Sequence, residues 1–230
     1  MLDKSLNCHK IHCMNIIYYD NSIIVCIKPA GVISTDEEGG MPSLLREALG
    51  DPNADIRAVH RLDQVVSGLM VYAQSNEAAS ELSRQIRDGE FTKKYLAVIH
   101  GVPEERKGRF EDLLLRSKEK RKTFVVNKPA RGAQNAILDY KLLGSNGERS
   151  LVEIELITGR THQIRAQFSH RRMPLMGDRK YGLGEDTCNI ALWSYSLGFT
   201  NPETRKPMIF KVKPPKEFPW TDFDSSLLSK

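Results

Sequence analysis

Three short segments carry polar side chains of the kinds that do chemistry, each mixed with small residues at what reads as a strand end or a turn. The first is His60-Arg61-Leu62-Asp63, followed by Ser67-Gly68. The second is Lys93-Lys94-Tyr95-Leu96-Ala97-Val98. The third is Thr158-Gly159-Arg160-Thr161-His162-Gln163-Ile164-Arg165, continuing to Pro174, Gly177-Asp178 and Tyr181-Gly182. A carboxylate such as that of Asp63 can act as a nucleophile or stabilise developing charge. An arginine such as Arg165 stays charged at any working pH and can hold a carboxylate by two hydrogen bonds. A tyrosine offers a ring for stacking and a hydroxyl for proton transfer. Taken singly, each has a bland reading. An Asp after Leu is usually a turn residue or helix cap, an isolated Arg a surface ion pair, and a Tyr in an apolar run a core residue. His60 and His162 read first as structural hydrogen-bonders. Trp193, Tyr195 and Leu197 read first as sheet core.

The elements that must position these segments are mostly strands. Residues 16–19 and 23–27 are β-rich runs joined by Asp20-Asn21-Ser22, a hairpin signature. Lys28-Pro29-Ala30-Gly31 breaks the second run, a polar glycine-rich loop follows at 36–40, and 43–49 reads as a short helix. After an apolar run at 69–73, Ser75 offers an N-cap and Gly89 a C-cap, with Ala78, Ala79, Leu82 and Ile86 on one helical face between them. Strands are expected at 94–99, 135–143, 151–157, 190–199 and 207–213, and one or two helical turns at 162–169. Val152, Ile154 and Leu156 alternate with Glu153 and Glu155, the pattern of a half-buried strand. Strands outnumber helices and do not alternate with them. The expected fold class is therefore α+β, with a largely antiparallel mixed sheet flanked by helices and loops. The segment 104–134 is charged and weakly periodic, and reads as an arm or insertion able to touch a partner.

Several function classes lose support at once. The chain shows no G-x-G-x-x-G after a strand and no Walker loop, so dinucleotide and nucleotide-triphosphate binding have none. It holds no run of 18 apolar residues, so no membrane-spanning helix is expected, and a cytoplasmic location is. Its four cysteines are too few for a disulfide scaffold in 230 residues. Cys8, His9, His12 and Cys13 crowd four soft ligands into six residues, too close for an easy tetrahedron, so no metal is expected. Residues 1–14 read as an N-terminal leader and 15–230 as one catalytic domain.

The net charge of +5 conceals its distribution. Residues 116–131 hold seven cations and one anion, and residues 160–180 hold six cations and one anion. These stretches carry +6 and +5, which leaves the remainder of the chain at −6. Concentrated cations suit a polyanionic partner, because each neutralised phosphate releases counterions. The plain alternative is a solvated charged face.

Taken together and in order, the motifs resemble the RluA family of RNA pseudouridine synthases. His60-Arg61-Leu62-Asp63 is similar to the family's catalytic H-R-L-D, and Lys28-Pro29-Ala30-Gly31 to the turn that opens its catalytic domain. Residues 158–165 are similar to its T-G-R-T-H-Q-I-R, with the downstream G-D-x-x-Y-G at 177–182. Residues 191–202 are similar to a strand near its C-terminus, so the likeness spans roughly residues 15–213. Two positions depart from the family pattern. Val66 stands where the family usually shows Thr, and Trp193 where a His is common.

The resemblance implies an isomerase that moves uracil from a nitrogen to a carbon bond on ribose. Substrate and product are isomers, so no cofactor is implied. It makes Asp63 the nucleophile, Arg165 the cation that keeps the carboxylate ionised, and Tyr95 the ring that stacks on the flipped uracil. Arg61 would fill the vacated stack or hold a phosphate, and Leu197 would floor the uracil pocket. His60, Arg160 and His162 join them as RNA-side residues. Lys120, Arg121 and Lys122 are expected to make sequence-independent phosphate contacts. The implied partner is structured RNA, ribosomal or transfer, bound by a monomer. A non-catalytic RNA-binding or chaperone module would keep the basic segments without needing Asp63, Tyr95 and Arg165 together. A glycosidase would need a second acidic residue near Asp63, and no motif supplies one.

Overall fold

The computed structural model describes residues 15–228. The leader expected over 1–14, with its Cys8–Cys13 cluster, lies outside the described residues. The chain divides into two units: one comprises the residues up to Thr92 with Ser196–Val212, the other Lys93–Tyr195 with Lys213 onward.

The first unit begins with the expected hairpin, β1 (Ile16–Tyr19) antiparallel to β2 (Ile23–Lys28). The Asp20 carboxylate fixes its turn by accepting the backbone N–H groups of Ser22 and Ile23, both at 2.8 Å. β2 pairs along its whole length with β4 (Ser67–Ala73), which also pairs with the two-residue β3 (Arg57–Ala58). Helix α1 (Met41–Leu49) starts with Pro42 in its first turn and ends at Gly50 in the left-handed region, φ 69°. Helix α2 (Asn76–Asp88) has the expected caps. Ser75 Oγ accepts the Ala78 N–H at 3.1 Å, and Gly89 closes the helix at φ 78°. Ala78 and Leu82 of α2 join Ile23, Val25, Leu69, Val71, Leu197 and Phe199 in one apolar cluster. Buried Gln85 ties the helix to the main chain of Thr200, donating at 2.9 Å and accepting at 2.8 Å.

In the second unit β5 (Thr92–His100) pairs antiparallel with β9 (Arg149–Leu156). Next come β8 (Gln134–Ser145), β6 (Lys107–Ser117) and β7 (Lys122–Val126), each antiparallel to its neighbour. Helix α3 (Gln163–His170) follows β9 and buries six of its eight residues. β10 (Leu192–Thr200) carries the chain from the second unit into the first, where it pairs with β11 (Pro207–Lys211). All of these strand pairs are antiparallel, in keeping with an α+β class.

The segment 104–134 is the place where the elements were not legible. It forms the β6–β7 hairpin, and weak periodicity is the reason this was hidden. Phe110 and Leu114 are buried on β6 and Thr123 on β7, while charged residues occupy six of the other thirteen positions. Its order comes from eight register pairs to β8, a non-local source.

Candidate active site

Asp63 lies in a loop of the first unit, half-buried between exposed Arg61 and Gln64 and buried neighbours Leu62 and Val66. Leu62 and Val66 are 7% and 2% exposed, so the Val that departs from the family pattern serves as an apolar anchor. The loop closes on itself where the Val66 N–H donates to the Asp63 carbonyl at 2.9 Å. It is also bound to the segment 28–34 at several points. Ser34 Oγ donates to the Leu62 carbonyl at 2.9 Å and accepts the Leu62 N–H at 3.1 Å. Gly31 N–H donates to the Gln64 carbonyl at 2.8 Å, and Gln64 Nε2 returns a bond to the Gly31 carbonyl at 2.9 Å.

Lys28 is the keystone of this arrangement. Its side chain is fully buried, and Nζ donates to the carbonyls of Pro29, Val32 and Gln64 at 2.8, 2.7 and 3.1 Å. Burial brings its pKa down to about 8, against the opposing pull of the Asp63 carboxylate. One ammonium thus joins the Lys-Pro-Ala-Gly turn to the Asp63 loop. The sequence marked the turn but assigned Lys28 no role. His60, at the loop's start, accepts the Val71 N–H on Nε2 at 3.1 Å and packs against Phe91. That is the structural hydrogen bonding its residue type suggested. Leu197 is 0% exposed within the first unit's apolar cluster.

The remaining predicted residues belong to the second unit. Tyr95 lies on β5, 5% exposed and opposite Ile154 of β9. Arg165, on α3, is 5% exposed. Its Nε and Nη2 donate to the two carboxylate oxygens of Asp178, both at 2.7 Å, in a bidentate pair. Burial pushes the Asp178 carboxyl up, but Arg165 and the backbone N–H groups of Lys180 and Tyr181 outweigh it and hold the pKa below the usual carboxylate range. Asp178 therefore fixes the plane of the guanidinium. It was visible in the sequence as part of Gly-Asp, without a role, because a separation of 13 positions hides the pairing.

The Thr158–Arg165 segment is held by its own glutamine. Gln163 Oε1 accepts the Thr158 hydroxyl at 2.8 Å and the Arg160 N–H at 2.9 Å, while Nε2 donates to the Ile137 carbonyl at 3.0 Å. Arg160 is exposed, with Nε donating to the Asn135 carbonyl at 2.9 Å. His162 caps α3 in the left-handed region, φ 56°, a conformation that non-glycine residues adopt at a cost. Its Nδ1 is 2.8 Å from the Tyr181 hydroxyl. That oxygen also accepts the Thr123 N–H of β7 at 2.7 Å, and the Tyr181 ring lies under Arg165, 5.1 Å from centroid to Cζ. Lys122 sits over the same ring at 4.7 Å, and Lys180 Nζ donates to the Arg121 carbonyl at 2.8 Å. The basic hairpin is therefore attached to the helix that carries Arg165, with Tyr181 as the common contact.

Lys120 and Arg121 are exposed and Lys122 half-buried. Of the seven cations in 116–131, none forms an ion pair with the described residues. No group of three or more His, Cys, Asp or Glu side chains among the described residues is placed to hold a metal ion. No helix among them is long and apolar enough to cross a membrane.

The first unit thus holds an anchored loop carrying a carboxylate, and the second a buried arginine oriented by a carboxylate of its own. Known proteins specify the class. The family model for RNA pseudouridylate synthase matches residues 22–170, and the chain belongs to that family. It is 31% identical to an RNA pseudouridine synthase of Aquifex aeolicus, over 89% of this chain and 71% of that protein. The RNA pseudouridine synthase YlyB of Bacillus subtilis is likewise 31% identical, with 89% and 70% covered. Ribosomal large subunit pseudouridine synthase D of Neisseria meningitidis is 32% identical over 89% of this chain and 59% of its own length. The fold is shared with human RNA pseudouridylate synthase domain containing 4, at TM-score 0.75 and 22% identity over 91% and 92% of the two chains. The chain is an RNA pseudouridine synthase, an isomerase of uridine in RNA.

Proposed function

We propose that this chain converts specific uridines of structured ribosomal RNA to pseudouridine, with Asp63 as nucleophile and without cofactor. The ribosomal target is favoured over transfer RNA by relatives named as large-subunit synthases C and D. In the reaction the N1–C1′ bond breaks, uracil turns, and a C5–C1′ bond forms. The C5 proton is lost and N1 gains one, so atoms balance with no electron carrier. A carboxylate that bonds to the substrate and then departs splits this exchange into two displacements. Arg165 is the cation that serves the carboxylate, and Tyr95 stacks on the extruded uracil, its hydroxyl taking the C5 proton. Arg61, Arg160, His60, His162 and Leu197 serve the RNA and base around them. Lys120, Arg121 and Lys122 bind phosphates. Residues 15–230 act together as one catalytic domain, as a cytoplasmic monomer.

The observation that carries this reading is the anchoring of the Asp63 loop by Lys28, Gly31 and Ser34. A loop held at so many backbone atoms suits a side chain whose position matters more than its burial. The test is pseudouridine mapping in ribosomal RNA from a strain lacking the enzyme. One or more sites should vanish, return with the parent chain, and stay absent with Asp63→Asn, with turnover down at least ~10³-fold while RNA binding persists. Normal turnover by Asp63→Asn would remove Asp63 from the mechanism. RNA binding with no site lost would favour the chaperone alternative.

A further inference from the structure

Two adjacent lysines on β5 meet different fates. Strand alternation puts Lys93 and Tyr95 on one face and Lys94 on the other. Lys94 reaches the carboxylates of Glu155 and Glu153 on the neighbouring strand, at 3.2 and 3.9 Å. Lys93 is only 9% exposed, yet among the described residues its ammonium has no hydrogen bond and no ion pair. An ammonium on a side chain this little exposed, with no counter-ion among the described residues, is poorly hydrated and favours an anionic ligand. Burial holds the Lys93 pKa below the usual lysine range.

The backbone beside it is open. A Cβ on Gly159 would stand 3.5 Å from Lys93 Nζ, and Gly159 itself is exposed. The Thr-Gly-Arg stretch therefore passes the ammonium at a residue with no side chain, so an anion can approach. Arg160, the next residue, is exposed as well.

We propose that Lys93, beside Gly159, is a binding subsite for a phosphate oxygen of the RNA backbone at the nucleotide being modified. The proposal rests on the chain acting on RNA and adds a residue that the reaction alone does not call for. A phosphate provides the missing counter-charge, and binding it makes up for hydration that the ammonium has partly lost. Tyr95, on the same face of β5, places this subsite beside the residue read as stacking on the base. Gly159 leaves room for the sugar–phosphate backbone where any larger residue would stand against Nζ.

The experiment measures the affinity of an unmodified ribosomal RNA transcript across a salt series for the parent chain, Lys93→Met and Gly159→Ala. Lys93→Met should raise Kd about tenfold at low salt and lower the slope of log affinity against log salt by about 0.7–0.9, the signature of one lost phosphate contact. Gly159→Ala should weaken binding several-fold by covering the ammonium. Without RNA, Lys93→Met should melt no lower than the parent, since it removes a buried unpaired charge. An unchanged salt slope in a folded Lys93→Met would overturn the proposal. So would a loss confined to kcat, which would assign Lys93 to the reacting base. A parent chain that neither binds nor modifies RNA would overturn the RNA reading along with it. A parent that does both, matched by Lys93→Met, overturns only the phosphate subsite.

Discussion

The two basic segments carry nearly the same charge, +6 over 116–131 and +5 over 160–180, but they are built for different tasks. In the second, two of the six cations are paired with carboxylates, while Arg160, Arg172, Arg179 and Lys180 are exposed. Arg165 is held by Asp178, and Arg171 forms an ion pair with Asp112 at 2.8 Å and lies 3.9 Å from the centre of the Phe110 ring. In the first, six of seven cations are exposed, and Lys120 and Lys122 lie 5.9 and 6.0 Å from the centre of the Phe124 ring. One stretch commits part of its charge to internal ion pairs. The other leaves it available to a polyanion. A count of charges in a sequence cannot separate these uses, because the difference lies in where the carboxylates are.

Neutralising Asp178 should break this contrast most severely. Asp178→Asn leaves the buried Arg165 guanidinium without its counter-charge. Stability should fall by about 3–5 kcal/mol in urea unfolding. Turnover should fall on the order of 10²-fold, measured by pseudouridine formation assays on RNA. The parent's acid limb follows from the same pair. A carboxyl whose pKa is lowered on folding adds stability above the ordinary carboxylate range, and that stability is lost as pH drops through the folded value. Parent melting temperature should therefore fall below about pH 4, and Asp178→Asn should show less of that fall.

Neutralising Lys120, Arg121 and Lys122 to Gln tests the other side. RNA affinity should fall on the order of tenfold and the salt slope by about 2–3, with folding stability changed by less than about 0.5 kcal/mol. An unchanged salt slope would return that stretch to a solvated face. A cation outside both segments sharpens the contrast through pH. Lys28 loses its charge as pH rises through about 8, and with it one of the three N–H donors that serve the carbonyls of Pro29, Val32 and Gln64. kcat/KM should decline above that pH, and whatever activity Lys28→Met retains should lack this alkaline limb.

The smallest effect concerns the link between the segments. Tyr181→Phe keeps the ring under Arg165 and Lys122 but removes the oxygen that accepts the Thr123 N–H and meets His162. Stability should drop by about 1–3 kcal/mol, with a few-fold loss of RNA affinity as the hairpin loosens on α3. A stability loss with RNA affinity intact would show that the hairpin binds RNA independently of the arginine's helix.

Much of this protein was legible in its residues. The β1–β2 turn, both caps of α2, the alternation in β9 and the ordered motifs are local patterns, and local patterns follow from backbone preference and side-chain period. The β6–β7 hairpin was not legible, because pairing with β8 supplies the order that its charged sequence lacks. The partner of Arg165, the carbonyls around Lys28 and the opposite fates of Lys93 and Lys94 were hidden for the same reason. By itself the sequence determined which side chains are present, their charge, and the family they define. Tertiary structure alone decided which of those charges are neutralised, oriented or left for a ligand. Burial and hydrogen bonding depend on residues tens of positions away, which no local spacing records.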